Sequence, residues 1–311
     1  RARAPPGRAP MTRDAGPQRC GVVAVVGAPN AGKSTLVNAL VGEKVAIVSP
    51  KVQTTRARLM GIAIAGSTQL LLVDTPGIFA PRRRLDRAMV QAAWEGASGA
   101  DVVLLVVDAR RGITEEVAAI LDALARRSDP RMLALNKVDL TPKERLLPLA
   151  RQLNERVEFL ETFMVAAKTG DGVDDLKATL AAAMPAGPWH FPPDQLTSAT
   201  QRLLAAELTR EQLYLQLSDE LPYASMVETE SWEQGAKAVT IRQVILVERD
   251  SQKAIVLGKG GSRIKAIGEA ARRELEAMVG GRVHLFLHVK VKPGWAEDRQ
   301  TLREMGLDWV D

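Results

Sequence analysis

The 311-residue chain has a single cysteine, Cys20, so it cannot form an intramolecular disulfide. It also has no thiol cluster able to hold a metal; the pattern fits a reducing cytosolic compartment, with Cys20 as inert packing. No apolar run approaches the ~20 residues that a membrane span requires, and no signal-peptide core precedes the first apolar segment. Acidic residues are nearly missing from Arg1 to Arg19, where Asp14 stands alone among Arg, Pro and Gly around Met11. That stretch, residues 1–19, reads as an extension without a fold. Excess charge is scarce as well: 42 Lys and Arg against 37 Asp and Glu leave only +5, which identifies a partner only where it clusters. The length suits about two domains. A hydrophobic content of 46% is enough for a sizeable core.

The first half is organised around Gly27-Ala28-Pro29-Asn30-Ala31-Gly32-Lys33-Ser34. The apolar run Val22 to Val26 predicts a buried parallel strand before it, and Leu36, Val37 and Leu40 predict a helix after it. Strand, glycine loop and helix are the context of a phosphate-binding loop. Glycines let successive N–H groups converge on phosphate oxygens at the positive end of a helix. Lys33 would neutralise the outer phosphates and the Ser34 hydroxyl would hold Mg²⁺.

Next, the polar segment Glu43 to Met60 carries Ser49-Pro50 and Gln53-Thr54-Thr55-Arg56, placed where a loop sensing the outer phosphate would lie. Leu59 to Ala65 and Leu70 to Val73 predict two strands joined through Gly66-Ser67-Thr68. The second ends in Asp74-Thr75-Pro76-Gly77. An acid there can reach Mg²⁺ through water while the Gly77 N–H meets the terminal phosphate. A helix over Leu85 to Ala97, a strand over Val102 to Val107 ending at Asp108, a helix over Glu115 to Arg127 and a strand over Met132 to Leu135 follow. This alternation describes a doubly wound α/β domain that binds at the carboxyl ends of its strands.

That last strand delivers Asn136-Lys137-Val138-Asp139. The Asp139 carboxylate can accept both N–H groups of a guanine edge, a pair that adenine lacks, with Asn136 bracing the site and the Lys137 stem along the ring. Phe163 to Val165 leads into Ala166-Ala167-Lys168, where the Ala167 N–H could meet the guanine carbonyl. A last helix begins at Gly170 to Gly172 and ends near Met184. An ATP-dependent kinase sharing the phosphate loop is disfavoured by Asn136 and Asp139.

Ala186 to Asp194 is rich in Pro and Gly and reads as an interdomain linker. A helix is expected from about Gln195 to Leu217, with Leu196, Leu204, Leu208 and Leu215 near one face. Strands fit Ala224 to Glu230 and Ala238 to Val247. Gly258-Lys259-Gly260-Gly261 then sits between short helices, as in the loop with which KH domains clamp a nucleic-acid backbone. The helix after it aligns Ile264, Ile267, Ala271, Leu275 and Met278, with Arg263, Lys265, Arg272 and Arg273 away from that stripe. From Gly258 to Lys292 eight basic residues face three acids, a surplus of five that equals the net charge of the whole chain. Such clustering is the footprint of phosphate binding. The final strand, Arg282 to Lys292, alternates inward Val283, Leu285, Leu287, Val289 and Val291 with outward His284, Phe286, His288 and Lys290; a solvated sheet face is the favoured reading, ahead of an RNA surface or a histidine metal pair.

Taken together, these motifs resemble a GTPase, and within GTPases the Era family of ribosome-assembly proteins, over nearly everything from Gly21 onward. The fold implied is an α/β P-loop GTPase domain with a doubly wound, mostly parallel mixed sheet (20–185), then a linker (186–194) and an α+β type II KH domain (195–311). The resemblance implies that Gly27, Asn30, Ala31, Gly32, Lys33, Ser34 and Thr35 bind GTP with Asp74, Gly77, Asn136, Lys137, Asp139, Ala166, Ala167 and Lys168. Lys33, Thr55, Asp74 and Gly77 are the residues implied for hydrolysis. Ser34 and Thr55 are the implied Mg²⁺ ligands. The family's usual Ser-Ala-Lys is Ala166-Ala167-Lys168 here, which removes a supporting hydrogen bond. Asn30 matches a position that binds K⁺ in related GTPases; stabilising the loop turn is an equal alternative. Ile78 stands where Ras-like GTPases place a water-orienting glutamine, so intrinsic hydrolysis should be slow. Through Gly258, Lys259, Gly260, Gly261, Arg263, Lys265 and Arg272, the family implies binding of the 3′ end of small-subunit ribosomal RNA during assembly of that subunit. A monomer in the cytoplasm is expected, with peripheral contact at the inner membrane left open. A signalling switch whose second domain binds a protein or a membrane is the alternative. One set of motifs excludes relatives with tandem GTPase domains.

Overall fold

The computed structural model describes residues 17–49, 55, 56, 59–81, 83–217, 221, 223–305 and 307–310. Residues 1–16, Pro50, Gln53 and Thr54 lie outside the described residues. The first unit is a sheet of six strands: β1 (Arg19–Val26), β2 (Leu59–Ala65), β3 (Thr68–Asp74), β4 (Val102–Asp108), β5 (Arg131–Asn136) and β6 (Thr162–Val165). Their order is β2-β3-β1-β4-β5-β6. Only β2 runs antiparallel, as the hairpin partner of β3. Every residue of β4 is buried, as expected of a central parallel strand covered on both faces. Period-two alternation divides that strand between two cores. Val102, Leu104 and Val106 pack beneath α1 (Lys33–Val41) and α5 (Val173–Ala183), whereas Val103, Leu105 and Val107 pack beneath α3 (Glu115–Leu124) and α4 (Leu146–Arg156).

The sequence reading did not anticipate α4. Its Pro148 looks like a breaker, but it falls in the first turn, where the helix needs no donor from it. Leu146, Leu149 and Leu153 then fall on the buried side. Thr114 caps α3, which ends at Leu124, short of the expected Arg127.

The second unit comprises α6 (Gln201–Gln216), β7 (Ser225–Gln234), β8 (Val239–Val247), α7 (Asp250–Leu257), α8 (Ser262–Val279) and β9 (Val283–Val291). The sheet order is β7-β8-β9, with β8 and β9 parallel. Two expectations for α6 fail. It starts at Gln201 because Thr200 caps it, its hydroxyl accepting from the Leu203 N–H at 3.2 Å. The expected leucine stripe is also wrong: Leu196 lies outside the helix, and Leu215 is 51% exposed. Instead Thr209, Arg210, Glu211, Gln212, Leu213 and Tyr214 are buried in an unbroken run. Six consecutive buried residues span the whole circumference, so this stretch of α6 is enclosed on all sides, between the sheet of the second unit and Lys44 and Arg56 of the first unit. Beyond β9, Trp295 is fully buried and α9 (Arg299–Glu304) follows; neither was expected.

The stretch read as a linker is fastened to the first sheet. The Gly187 N–H donates to the Gln18 carbonyl at 3.0 Å, Trp189 Nε1 donates to the Ser67 carbonyl at 2.9 Å, and the Ile62 N–H donates to the Leu196 carbonyl at 2.8 Å. The chain thus reaches its second unit along a packed strap.

Candidate nucleotide and nucleic-acid sites

The ends of the strands bring the sequence motifs together. After β1 the loop turns into α1 at Gly32, whose φ of 94° lies in the left-handed region. A Cβ there would stand 2.2 Å from Asn136 Nδ2, so a side chain is excluded on both counts. Asn136, at the end of β5, donates from Nδ2 to the Ala31 carbonyl at 2.9 Å and accepts from the Ala167 N–H at 3.0 Å. One amide therefore ties the phosphate loop to the segment after β6. The Ala167 N–H, expected to meet a guanine carbonyl, thus donates to the Asn136 brace. Lys137 Nζ crosses to the Asn30 carbonyl at 2.6 Å and to Asp108 at 2.7 Å. Asp108, at the end of β4, received no role from the sequence; its acidic end-of-strand position was the only signal. Burial opposes its charge, but bonds from Arg110 and Lys137 outweigh this and hold its carboxyl below the usual range. Asp139 and Lys168 are exposed at the mouth of this site.

A second cluster forms where β3 ends. Asp74 is fully buried, and its Oδ2 accepts from Ser34 at 2.7 Å and from Thr55 at 3.0 Å. The two hydroxyl oxygens are 2.9 Å apart. Asp74 Oδ1 has no hydrogen-bond partner among the described residues. Six oxygens about 2.1 Å from a Mg²⁺ ion place neighbours about 3.0 Å apart. The spacing of the hydroxyls, the hard oxygen donors and the orphaned carboxylate oxygen all fit that ion. Lys33 is buried beside them, with Nζ donating to the carbonyls of Gly27 and Ala28 at 3.1 Å. Burial pushes Lys33 down to about 8 and Asp74 upward, each an unfavourably dehydrated charge. Phosphate oxygens would compensate the first and a divalent cation the second. Asn30 and Thr35 face the same cleft, which Ile47, Val48, Ser49 and Gly77 close from the other side. Ile78 is buried among Ala24, Val26 and Ala28, so no side chain from that position can orient a water.

In the second unit the Gly258–Gly261 turn joins α7 to α8, with Lys259 and Gly260 exposed. Beside it Ile264 and, in the same cluster, Leu287 of the edge strand β9 are half-buried and Ile255 is 47% exposed, giving an apolar strip next to the turn. Helical spacing puts Lys265 and Arg272 on one flank of the α8 core stripe and Arg263 on the other. The three basic residues do not converge. Arg263 instead donates to the Ile255 carbonyl at 3.1 Å and fastens the loop to α7. The outward face of β9 is exposed at His284, Phe286, His288 and Lys290, with the Arg242 guanidinium 4.7 Å from the Phe286 ring. Among the described residues no His, Cys, Asp and Glu group could hold a metal ion by itself.

Two family models match the chain: 50S ribosome-binding GTPase over residues 22–137 and KH domain over residues 220–296. GTPase Era of Erythrobacter litoralis is 59% identical over 297 residues, covering 94% of this chain and 98% of its own length. The chain belongs to the Era family of GTPases. GTPase Era of Afipia carboxidovorans is likewise 59% identical, over 94% of this chain and 96% of its own length. Among solved structures, Era in complex with MgGDPNP and nucleotides 1506–1542 of 16S ribosomal RNA is 36% identical, with a TM-score of 0.88 over 93% of this chain and 99% of that one. Aquifex aeolicus Era Y63A bound to GDP·AlF4⁻ agrees equally, at 36% identity, TM-score 0.88 and the same coverage.

This Era GTPase is therefore a GTP-hydrolysing enzyme with a P-loop domain followed by a KH domain. Its two domains meet at the segments that follow Thr55 and Gly77. Arg56, next to Thr55, is 2% exposed and enters the KH domain, donating to the Ser225 carbonyl at 2.7 Å, the Tyr223 carbonyl at 3.0 Å and the Tyr214 hydroxyl at 3.0 Å. Its guanidinium lies 5.6 Å from the Trp295 ring. Leu85, Ala88, Met89 and Ala92 of α2 (Arg84–Ala97), which follows Gly77, pack on Met226, Val244, Leu246 and Trp295. The sequence carried no sign of these contacts beyond the arginine itself, because each joins residues more than 100 positions apart. No helix among the described residues is long and apolar enough to cross a membrane.

Proposed function

We propose that this Era GTPase binds single-stranded RNA at the 3′ end of small-subunit ribosomal RNA through its KH domain, acts in assembly of that subunit, and makes the binding depend on its nucleotide. What carries this reading is the loop Gly258–Gly261 beside an apolar strip, on a domain packed against the segments around Thr55 and Gly77. The relative solved with 16S ribosomal RNA supports it. The proposed division is 20–185 for the GTPase domain, 186–194 for the strap and 195–311 for the KH domain.

In this reading Mg²⁺ is held by Ser34 and Thr55, with Asp74 orienting both hydroxyls, and it supplies charge that offsets the phosphates. Lys33 neutralises the outer phosphates, and the Gly77 N–H meets the third phosphate. Asp139 selects guanine while Asn136 braces the loop and the Lys137 stem flanks the ring. GTP orders Thr55 and Gly77, and hydrolysis releases them. With Ile78 buried, intrinsic turnover is slow, and K⁺ held by Asn30 contributes part of the missing positive charge. Turnover should accordingly be several-fold faster in K⁺ than in Na⁺; equal phosphate release in both would eliminate the K⁺ role.

Binding of a short RNA matching the small-subunit 3′ end, compared with a scrambled strand, tests the central claim. The expected result is tight, salt-sensitive and sequence-selective binding that is strongest with a GTP analogue and weaker with GDP or without nucleotide. Binding without selectivity, or none in any state, would overturn it in favour of a protein or membrane partner.

A further inference from the structure

The buried run in α6 contains a carboxylate that the GTPase motifs do not account for. The Glu211 side chain is only 4% exposed. Its two oxygens reach out of the KH domain to one loop of the GTPase domain. Oε2 accepts from Lys44 Nζ at 2.6 Å, and Oε1 accepts from the Val48 N–H at 2.8 Å. Lys44 is also bonded to Glu274 of α8 at 3.0 Å. Burial works against the Lys44 charge, but the two carboxylates outweigh it and hold its ammonium above the ordinary range. Between these bonds Ile47 is buried against Ala205, Leu208 and Leu275 of the KH domain. This is the loop that leads to Thr55, and immediately after Thr55 Arg56 is locked into the same domain. Thr55 is thus bracketed by KH-domain contacts at residues 44–48 and at residue 56.

An arrangement of this kind bears on the Mg²⁺ site directly. Thr55 contributes a single hydroxyl, and holding it in place costs the conformational entropy of its whole loop. Anchors on both sides of the residue reduce the freedom still to be lost when the ion binds. A group that orients a ligand without touching the cation can therefore change metal affinity by about 10–100-fold.

We infer that Glu211 is a positioning residue for GTP hydrolysis, through which the KH domain presets the Thr55 loop for Mg²⁺. The inference rests on the assignment of Thr55 as a Mg²⁺ ligand proposed above. It adds that the GTPase site is complete only with the second domain docked.

The test is equilibrium binding of a fluorescent, non-hydrolysable GTP analogue to the full chain, in Mg²⁺ and in EDTA, for wild type, Glu211→Gln, Lys44→Ala, the double variant and Thr55→Ala. The Mg²⁺-to-EDTA affinity ratio should fall roughly tenfold in each single Glu211 or Lys44 variant, the scale of a lost charge-assisted hydrogen bond. The double variant should lose less than the product of the two singles, because either substitution alone already removes the Glu211–Lys44 bond. GDP affinity in EDTA should stay within about twofold of wild type, which a general loss of folding would not allow. Should Glu211→Gln fail to fold, Lys44→Ala decides, since Lys44 is 39% exposed and outside α6. An unchanged ratio in a folded Lys44→Ala protein, with a reduced ratio in Thr55→Ala, would overturn the role of Glu211 while leaving the Mg²⁺ assignment standing. An unchanged ratio in Thr55→Ala would overturn both. No RNA enters the measurement, so failure of the RNA reading cannot be mistaken for failure of this one.

Discussion

Asp74→Asn should reduce GTP hydrolysis by at least about 10³-fold and yet leave the metal-free protein as stable as wild type, or more so. The first effect follows from charge. The carboxylate accepts from both hydroxyls of the proposed cation site and, among the described residues, is the one anionic side chain bonded to them. Losing several kcal/mol of metal-held charge at the transition state is enough for that rate. The second effect has the opposite sign because Asp74 is fully buried and one of its oxygens has no hydrogen-bond partner among the described residues. A buried carboxylate of this kind costs roughly 1–3 kcal/mol even in a tolerant site, and an amide of the same shape relieves part of that. Two measurements on one preparation separate the effects. Phosphate release should collapse. The thermal midpoint in EDTA should hold or rise, whereas the rise normally produced by Mg²⁺ with a GTP analogue should shrink. A variant destabilised in EDTA would show that Asp74 serves the fold before the cation.

The first domain was readable because its signals are local. The chemistry of Gly27 to Ser34, Asp74 to Gly77 and Asn136 to Asp139 is carried by neighbouring residues, and each follows a strand whose continuous apolar run marks it as buried. Period and punctuation were enough to place the strands from β1 to β6. The reading failed where one residue type served an unexpected purpose. Helix α4, which had no reading from the sequence, carries Pro148 in its first turn, where a proline is harmless. The leucines of α6 suggested an amphipathic surface helix, but the buried positions include Thr209, Arg210, Glu211 and Gln212. Hydropathy treats these as surface residues. The fold supplies partners for two of them, Thr209 donating to Gln243 Oε1 at 2.6 Å and Glu211 holding Lys44, while Arg210 pairs with Glu207 one turn earlier in the same helix.

The same limit applies to the contact between domains. Arg56 was visible in the second motif, but its socket is built from Tyr214, Tyr223, Ser225 and Trp295, four positions from three separate elements and a loop. Burial lowers the Arg56 affinity for its proton, with Tyr214 opposing, yet a guanidinium stays charged at any ordinary pH. A permanent cation held by carbonyls and rings is a strong and directional plug. It sits one residue from Thr55, so movement at Thr55 and movement of the KH domain share a joint that no local pattern could reveal.

Lys259→Asp combined with Gly260→Asp should weaken RNA binding by about 10²–10³-fold while GTP hydrolysis in the absence of RNA stays near wild type. The structure favours these two positions over the flanking glycine. Gly260 has φ 61° and ψ 24°, a left-handed conformation that Asp tolerates better than most residues, and a Cβ there meets nothing within 4 Å. Gly258 is different: its φ of 71° combines with ψ of 171°, and a Cβ would lie 2.7 Å from that of Arg263. Substitution at Gly258 would deform the loop and confuse electrostatics with folding. The double aspartate keeps the turn, removes one positive charge and adds two negative ones where phosphates are expected to approach. Binding measured across salt concentrations should show a lower affinity and a shallower dependence on salt, because fewer counterions are released. The thermal midpoint should change little, and hydrolysis should persist because neither position is among the residues that hold Lys44, Val48 or Arg56 to the KH domain. Unaltered RNA affinity in this variant would mean that Gly258–Gly261 is a helix-to-helix turn and nothing more, and the nucleic-acid surface would then have to be sought on the outward face of β9, where Arg242 covers Phe286.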